Sequence, residues 1–538
     1  MTPHSRRRPR LAIASSFPLL ALLAAACGSP SEDPGSDVPD FSGGFGGSGA
    51  ASPAPTTPGA GPDAPGAAPD PSVTPGEAPG DIPLAPTPSQ PGETPTAQNP
   101  QTPVTPPEQP AQPGDPQQPV EPQPVPTEPD PDRPTRGTSN LFTDLLGIPV
   151  GEVDAKVRTA VERVFGIGTG ESATPDSQTG FRIYYELPQD PSKAFIWCAD
   201  NNDVRSEGQS YGMMIAVQMN MQQQFDKLWK FAKENMQITG GVWNRYFNWQ
   251  GAVSVNGNSI NVNFGNSGPA PDGDEYFTAA LYLADRRWGS NGAFNYEAEA
   301  DAIASALLNN TGGGGGQTAL FNQGSNMVVF YPNGNAATFS DPSYHLPAFY
   351  EIFAQDGNAA DANRWRQIAA TSRQFFVSSA NPNTGLHPDY AGFNGAAVDS
   401  NDGQNHNHFK YDAWRVPMNM AIDYAWTGPD QRLTTQVDKY HAFFLNNGHV
   451  GENNVVNALF QLNGQLSADG GGSSTALTQT LAAGALATTN EARVRFVENA
   501  WNVGQQSGFY RYYQESVYLL GLLATAGWYG YEWAPPAQ

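Results

Sequence analysis

Residues 138–538 predict an all-α domain built as a ring of helical hairpins, and two observations carry that expectation. About twelve stretches either repeat apolar residues at helical spacing or run apolar for most of a helix's length. They are joined alternately by short links and by very long Gly/Asn/Trp-rich connections such as 240–271, 311–340 and 379–410. Such alternation makes hairpins whose long loops gather on one face, and no repeat of the kind a solenoid requires is present. Long loops in a folded domain usually serve function, so that face is where a site is expected.

The elements follow in order. Val153, Val157, Val161 and Val164 recur at helical spacing and predict a first helix ending near Gly166. Phe181 to Leu187, bounded by Gly180 and Pro188, reads as a short strand. A polar segment at 206–212 opens into the apolar run Met213-Met214-Ile215-Ala216-Val217, predicting a helix to about residue 223. Another is built on Phe225, Leu228, Trp229, Phe231 and Ala232. Further helices are expected at 274–287, 295–309, 342–355, 361–379, 415–425, 430–446, 474–487, 490–502 and 509–526.

Ahead of this domain the composition is different. Residues 1–27 begin with Arg6-Arg7-Arg8-Pro9-Arg10 and continue with an apolar run to Ala26, too short to span a bilayer, which predicts a secretory signal. The run ends Leu22-Leu23-Ala24-Ala25-Ala26-Cys27-Gly28, which resembles the lipobox of bacterial lipoproteins with Leu one place early, so a lipid on Cys27 is expected. Residues 28–137 hold 31 of the 49 prolines and only Phe41 and Phe45 as aromatics. That segment cannot bury enough apolar surface to order itself and is expected to be a disordered tether. It lacks Lys and Arg before Arg133, so part of the net charge of −24 belongs to solvated linker and is no guide to substrate. The protein is expected to be secreted, held at the cell envelope by its lipid, monomeric and without a nucleic-acid partner. Cys198 alone remains in the folded part, which excludes an internal disulfide and a cysteine-built zinc site.

Three polar segments carry acids just ahead of a helix: Ser206-Glu207-Gly208, Pro271-Asp272-Gly273-Asp274 and Tyr411-Asp412-Ala413-Trp414-Arg415-Val416-Pro417. Any one of them reads as a helix start, with Ser206 as cap and Glu207 at the positive end of the helix dipole. Pro417 suits a helix's first turn, leaving Asp412 just before it. Three together on one loop face point to carboxylate chemistry. Paired carboxylates among aromatics, without a nucleophile motif, suit glycoside hydrolysis: one acid protonates the leaving oxygen, the other attacks or activates water, and rings receive the sugars' apolar faces. Trp243, Tyr246, Trp249, Tyr344, Tyr390 and Trp414 are the candidate platforms.

The segments Ser206-Glu207-Gly208-Gln209-Ser210-Tyr211-Gly212-Met213, Ala270 to Asp274 and Tyr411 to Pro417 resemble the three signatures of glycoside hydrolase family 8, in the family's order. The resemblance covers about 141–530 and implies an (α/α)6 barrel and an inverting mechanism; nothing in the sequence calls for a cofactor or metal. It implies that Glu207 is the general acid and Asp412 the general base, that Asp272 binds and distorts the sugar, and that Tyr411 and Arg415 orient the base. Tyr211, Tyr344, His345, Trp249, Tyr390 and His408 are added as substrate contacts. The chemistry asks for a raised pKa on Glu207, an Asp412 kept ionised beside Arg415, and carboxyls about 6.5–9.5 Å apart. Pro271 departs from the family's Ser or Thr.

Phe339 to Glu351 resembles the xylan-active branch, so xylan or xylo-oligosaccharides are the expected partners. Exo-acting members of that branch close the cleft with a Leu-His-Pro loop after the general base. Residues 473–488 hold no such motif, and Leu386-His387-Pro388 precedes Asp412, so endo action is expected, with exo-oligoxylanase, β-glucanase or a dead glycan-binding protein as alternatives. Asp399, Asn401, Gly403 and Asn405 lack the glycine and glutamate of a calcium loop, and His406 with His408 lacks further ligands.

Overall fold

The apolar stretches of the sequence become the two walls of a barrel. The computed structural model describes residues 128–175, 179–310, 316–400, 403–470 and 472–534. The signal at 1–27, Cys27, the tether before residue 128, Asn401 and most of the glycine run Gly312–Gly316 lie outside the described residues.

In chain order, β1 (Arg136–Gly137) and α1 (Leu141–Leu146) lead into α2 (Val150–Phe165). Strands β2 (Tyr184–Leu187), β3 (Asp190–Cys198) and β4 (Asp203–Arg205) precede α3 (Ser206–Gln218) and α4 (Gln222–Phe231). After β5 (Gln250–Asn256) and β6 (Ser259–Asn263) come α5 (Pro271–Trp288) and α6 (Tyr296–Asn309). Then follow β7 (Phe339–Ser340), α7 (Pro347–Asp356), α8 (Ala362–Ser378), β8 (Ala391–Gly392), α9 (Val416–Thr427) and α10 (Gln431–Asn446). The last elements are α11 (Thr475–Gly484), α12 (Arg493–Asn502), α13 (Arg511–Thr525) and β9 (Gly530–Glu532).

Helices α3, α5, α7, α9, α11 and α13 pack in that order and α13 returns to α3, closing an inner ring. Helices α4, α6, α8, α10, α12 and α2 pack outside them as partners in hairpins. This is the (α/α)6 barrel. The two rings differ in sequence as burial demands. Every residue of α3 is buried, whereas α2 buries Val153, Val157, Ala160, Val161 and Val164 and turns Glu152, Thr159 and Arg163 to solvent. Polar residues in the inner wall are satisfied: Gln209 donates to the carbonyls of Ala194 and Leu228 and accepts from the Ile196 N–H. Gly521 lets α13 touch α11, since a Cβ there would lie 2.8 Å from the Gln479 carbonyl carbon.

Two features depart from the sequence reading. Strands β2 to β6 form a five-stranded antiparallel sheet, where the sequence reading had one strand and a long loop. Its β5–β6 hairpin turns at Gly257-Asn258, with Gly257 at φ 58°, between alternating Val253, Val255, Ile260 and Val262. The tether, expected to run to residue 137, ends earlier. Arg133 pairs with Asp154, Arg158 binds Asp130 and Asp132, and β1 pairs with β9, so residues 130–137 are a strap on the barrel. The acids and arginines that read as linker composition find ion-pair partners there.

The strap marks the face of the barrel where the inner helices end. Arg133 donates to the carbonyls of Ala526 and Gly527, just past α13, and Arg287 to those of Val217 and Gln218 at the end of α3. The inner helices therefore begin together on the other face, under the long loops.

Candidate active site

Each acid singled out in the sequence stands at the start of an inner helix. Glu207 and Asp272 are the second residues of α3 and α5, and Asp412 opens a 3-10 turn, Asp412–Arg415, that leads into α9. The macrodipoles put positive potential where the carboxylates are. Arg205, in extended conformation, precedes α3, so Ser206 is not its cap as the sequence implied. Pro271 sits at the first position of α5, where its missing N–H costs nothing, and this accommodates the departure from Ser or Thr. Gly273 packs on Ser206: a Cβ would meet the Ser206 carbonyl carbon at 2.8 Å. That close approach draws Asp272 up to Glu207.

Arg415 ties the group together. One of its terminal nitrogens donates to Glu207 Oε2 at 2.8 Å and to Asp272 Oδ2 at 2.9 Å, and also to the Tyr211 hydroxyl. The other donates to Asp412 Oδ1 at 2.9 Å and Ser343 Oγ at 2.6 Å, with Asp341 Oδ2 at 3.9 Å. Glu207 and Asp412 thus meet through one guanidinium, whose width plus two hydrogen bonds caps the gap between their nearest oxygens at about 8 Å, a ceiling that overlaps the range of inverting pairs. Tyr344 lies under the guanidinium, 5.7 Å from ring centre to Cζ. The Tyr512 hydroxyl donates to Glu207 Oε1 at 3.0 Å, and the Tyr513 hydroxyl to the Tyr411 carbonyl at 2.6 Å.

Burial dominates the electrostatics. Asp412 is pushed up to about 7 by desolvation, with Arg415 opposing and Asp389, Glu207 and Asp272 adding to the rise. Asp272 is raised to about 6, again by desolvation against the pull of Arg415. The sequence expectation of an Asp412 held firmly ionised by Arg415 is therefore corrected: one guanidinium is shared among too many acids. Asp341, fully buried behind Asp412, is held well above the ordinary carboxylate range by burial and by Asp412.

The candidate substrate contacts divide. Trp249 and Tyr411 keep partly exposed surface at the rim; Trp249 accepts from the Ser206 N–H at 2.9 Å, and its ring lies 5.6 Å from the Arg205 guanidinium. Tyr211 and Tyr344 are buried against Arg415 and form the back wall. His345 is no substrate contact: its ring, fully buried, bonds the hydroxyls of Ser340 and Ser372, and burial lowers its pKa to about 3. Tyr390 is likewise withdrawn, packed between Phe330 at 4.3 Å and His406 at 4.1 Å. His408 bonds Ser467 at 2.9 Å on the 447–474 loop rather than any of Glu207, Asp272 and Asp412. Among the other proposed platforms, Tyr246 is core, donating to the Ala306 carbonyl; Trp414 is buried, donating to that of Ala458; and Trp243 packs on Tyr331.

Tyr512, Tyr513, Ser343, Asp341 and Asp389 were not singled out by sequence. The aromatic run Phe509-Tyr510-Arg511-Tyr512-Tyr513 across the start of a helix was a usable signal, the same kind that marked the three acids. Asp389 sits far from any signature and reaches the site only through the fold, accepting from the Ala413 N–H at 3.3 Å and facing His406 Nδ1 at 3.2 Å. Among the described residues no cluster of His, Cys, Asp and Glu could hold a metal ion, and no helix is long and apolar enough to cross a membrane.

The family model for glycosyl hydrolases family 8 matches residues 196–527, a span that takes in all three carboxylate segments. The chain belongs to glycoside hydrolase family 8. It is 33% identical over 407 residues to a reducing end xylose-releasing exo-oligoxylanase of Halalkalibacterium halodurans, covering 75% of this chain and 96% of that one. It is 29% identical over 352 residues to endoglucanase 2 of Ruminiclostridium josui, covering 65% and 68%. Its fold matches a family 8 protein of Teredinibacter turnerae in complex with xylobiose, at a TM-score of 0.65 and 36% identity over 73% of this chain and 98% of that one. As a member of the family the chain is a glycoside hydrolase.

Proposed function

We propose that this glycoside hydrolase is an inverting endo-1,4-β-xylanase with Glu207 as general acid and Asp412 as general base. The observation that carries the reading is the single guanidinium of Arg415 shared by Glu207, Asp272 and Asp412. Glu207 and Asp272 share one terminal nitrogen of that guanidinium and Asp412 takes the other, which supports two carboxyls acting on one glycosidic bond with room for a water. Glu207 gives its proton to the leaving oxygen as the bond to the anomeric carbon breaks. Asp412 takes a proton from the water that attacks that carbon from the opposite side. Asp272, beside Glu207 on the same arginine nitrogen, accepts hydrogen bonds from the sugar at the cleavage point.

Xylan is supported by the relatives: the exo-oligoxylanase named above and a T. turnerae family 8 xylanase mutant solved with xylohexaose, 36% identical over 73% of this chain. Endo action is supported by loop composition. Residues 475–484, where a closing motif was first sought, are the inner helix α11, and the cleft-side loop after the base is 447–474, which also lacks Leu-His-Pro. Leu386-His387-Pro388 is part of the core, His387 being bonded to the Tyr440 hydroxyl and the Phe376 carbonyl. The exo reading is kept because the relative at 33% identity carries that name. A product time course on xylan and on xylohexaose labelled at the reducing end separates them. Early mixed oligomers with falling viscosity support endo action, and labelled xylose released first overturns it.

We further infer export by residues 1–27 and a lipid on Cys27. Exchange of Cys27→Ser, releasing the protein from the membrane fraction into the soluble one, is the expected result. Unchanged membrane association would sink the anchor.

A further inference from the structure

Away from the cleft, a groove of about 430 Å³ runs along the outer wall between α2 and the segment that joins α12 to α13. Lys156 and Arg163, two turns apart on α2, line one side; Trp501, Gln505 and Tyr518 line the other. The Lys156 ammonium lies 5.0 Å from the Trp501 ring centre, and Arg163 reaches Gln505 Oε1 at 3.4 Å. The chain carries 52 acidic residues against 28 Lys and Arg, yet neither cation forms an ion pair among the described residues. The acid that lines the groove is Glu152, one turn ahead of Lys156, and it forms no ion pair with it. Lys156 is instead part-buried beside a second cation, and burial, followed by Arg163, lowers its pKa. Two cations on one side of a groove, neither of them in an ion pair among the described residues, beside a partly exposed indole, are arranged for an anion that also has an apolar face.

We propose that this groove is a second carbohydrate site that takes a uronic-acid-bearing stretch of xylan, with a sugar face on Trp501 and the uronate carboxylate between Lys156 and Arg163. The proposal rests on xylan being the substrate. The groove is tied to the catalytic centre by chain: the segment that forms it runs into α13, whose second residue, Tyr512, holds Glu207. A polymer seated there would be kept on the enzyme while its unsubstituted stretches are cut.

The test is equilibrium binding of the full chain carrying Asp412→Asn, to stop hydrolysis, to glucuronoxylan and to the same polymer after reduction of its carboxyl groups. The expected result is roughly tenfold tighter binding of the uronate form at low salt, fading as salt is added. Adding Lys156→Gln and Arg163→Gln should abolish that preference. In the otherwise unaltered enzyme the same pair should leave xylohexaose hydrolysis unchanged. Trp501 is left in place because it packs on Phe142 at 5.2 Å. Equal binding of the two polymers, or a preference that survives the double substitution, overturns the proposal, and so does loss of xylohexaose hydrolysis by that pair. Failure of the unaltered enzyme to hydrolyse xylohexaose would overturn the xylanase reading instead, and the binding comparison would still report on the groove.

Discussion

The two ends of the inner ring are built from the same residue types in opposite balance. Where the inner helices end, arginines meet carbonyls and single acids: Arg287 on Val217 and Gln218, Arg133 on Asp154, Arg286 on Asp356. Where they begin, one arginine serves Glu207, Asp272 and Asp412, with Asp341 close behind. Helix dipoles favour each arrangement, cations at carbonyl ends and acids at amide ends. The far end is balanced and serves stability. The cleft end is overloaded with buried acid, and the proposed proton transfers draw on that surplus.

Removing Arg415 should break this contrast most severely. Arg415→Met leaves buried carboxylates with no counter-charge, and a loss of about 3–5 kcal/mol in unfolding free energy is expected along with activity. Chemical denaturation checks it; a variant of normal stability would show that the acids are neutralised by other means. Next come Asp412→Asn and Glu207→Gln, each expected to lower kcat about 10²–10⁴-fold with the melting temperature kept or raised. Near-normal kcat in either would remove that residue from its role.

The balance also predicts a pH dependence. Asp412 and Asp272 are raised in the folded state, to about 7 and about 6, above their ordinary 3.8. Between about 4 and about 7 the folded chain then holds more protons than the unfolded one, so these groups make stability fall as pH rises. Asp412→Asn should flatten that part of the melting-temperature profile, whereas an unchanged slope would assign it to other groups. In the free enzyme the same elevation places the acid limb of kcat/KM near neutrality. The smallest effect belongs to the balanced end. Arg158→Gln, which loosens the strap at a side chain about a third exposed, should cost about 0.2–1 kcal/mol and leave kcat unchanged.

Much of this contrast was legible in the sequence. Helical period and loop alternation located the twelve barrel helices, and the acids ahead of α3, α5 and α9 stood out because carboxylates beside apolar runs demand a reason. What escaped was set by contacts distant in the chain. Asp389 and Asp341 matter only because the fold aims them at Asp412. His345, by contrast, looks functional in a polar segment, but Ser372 on α8 satisfies it in the core. The hairpin at Gly257 was readable from Val255-Asn256-Gly257-Asn258 and its alternating neighbours; it was hidden by the Gly/Asn content that made the whole region look like loop.

The strap, finally, sets a direction. Asp130 and Asp132 are held at the end of the barrel remote from Glu207 and Asp412, so residues 130–137 pack on the face opposite the carboxylates. The mouth above Glu207 and Asp412 is thereby left clear of residues 130–137, and a polymer can lie across it without meeting the strap.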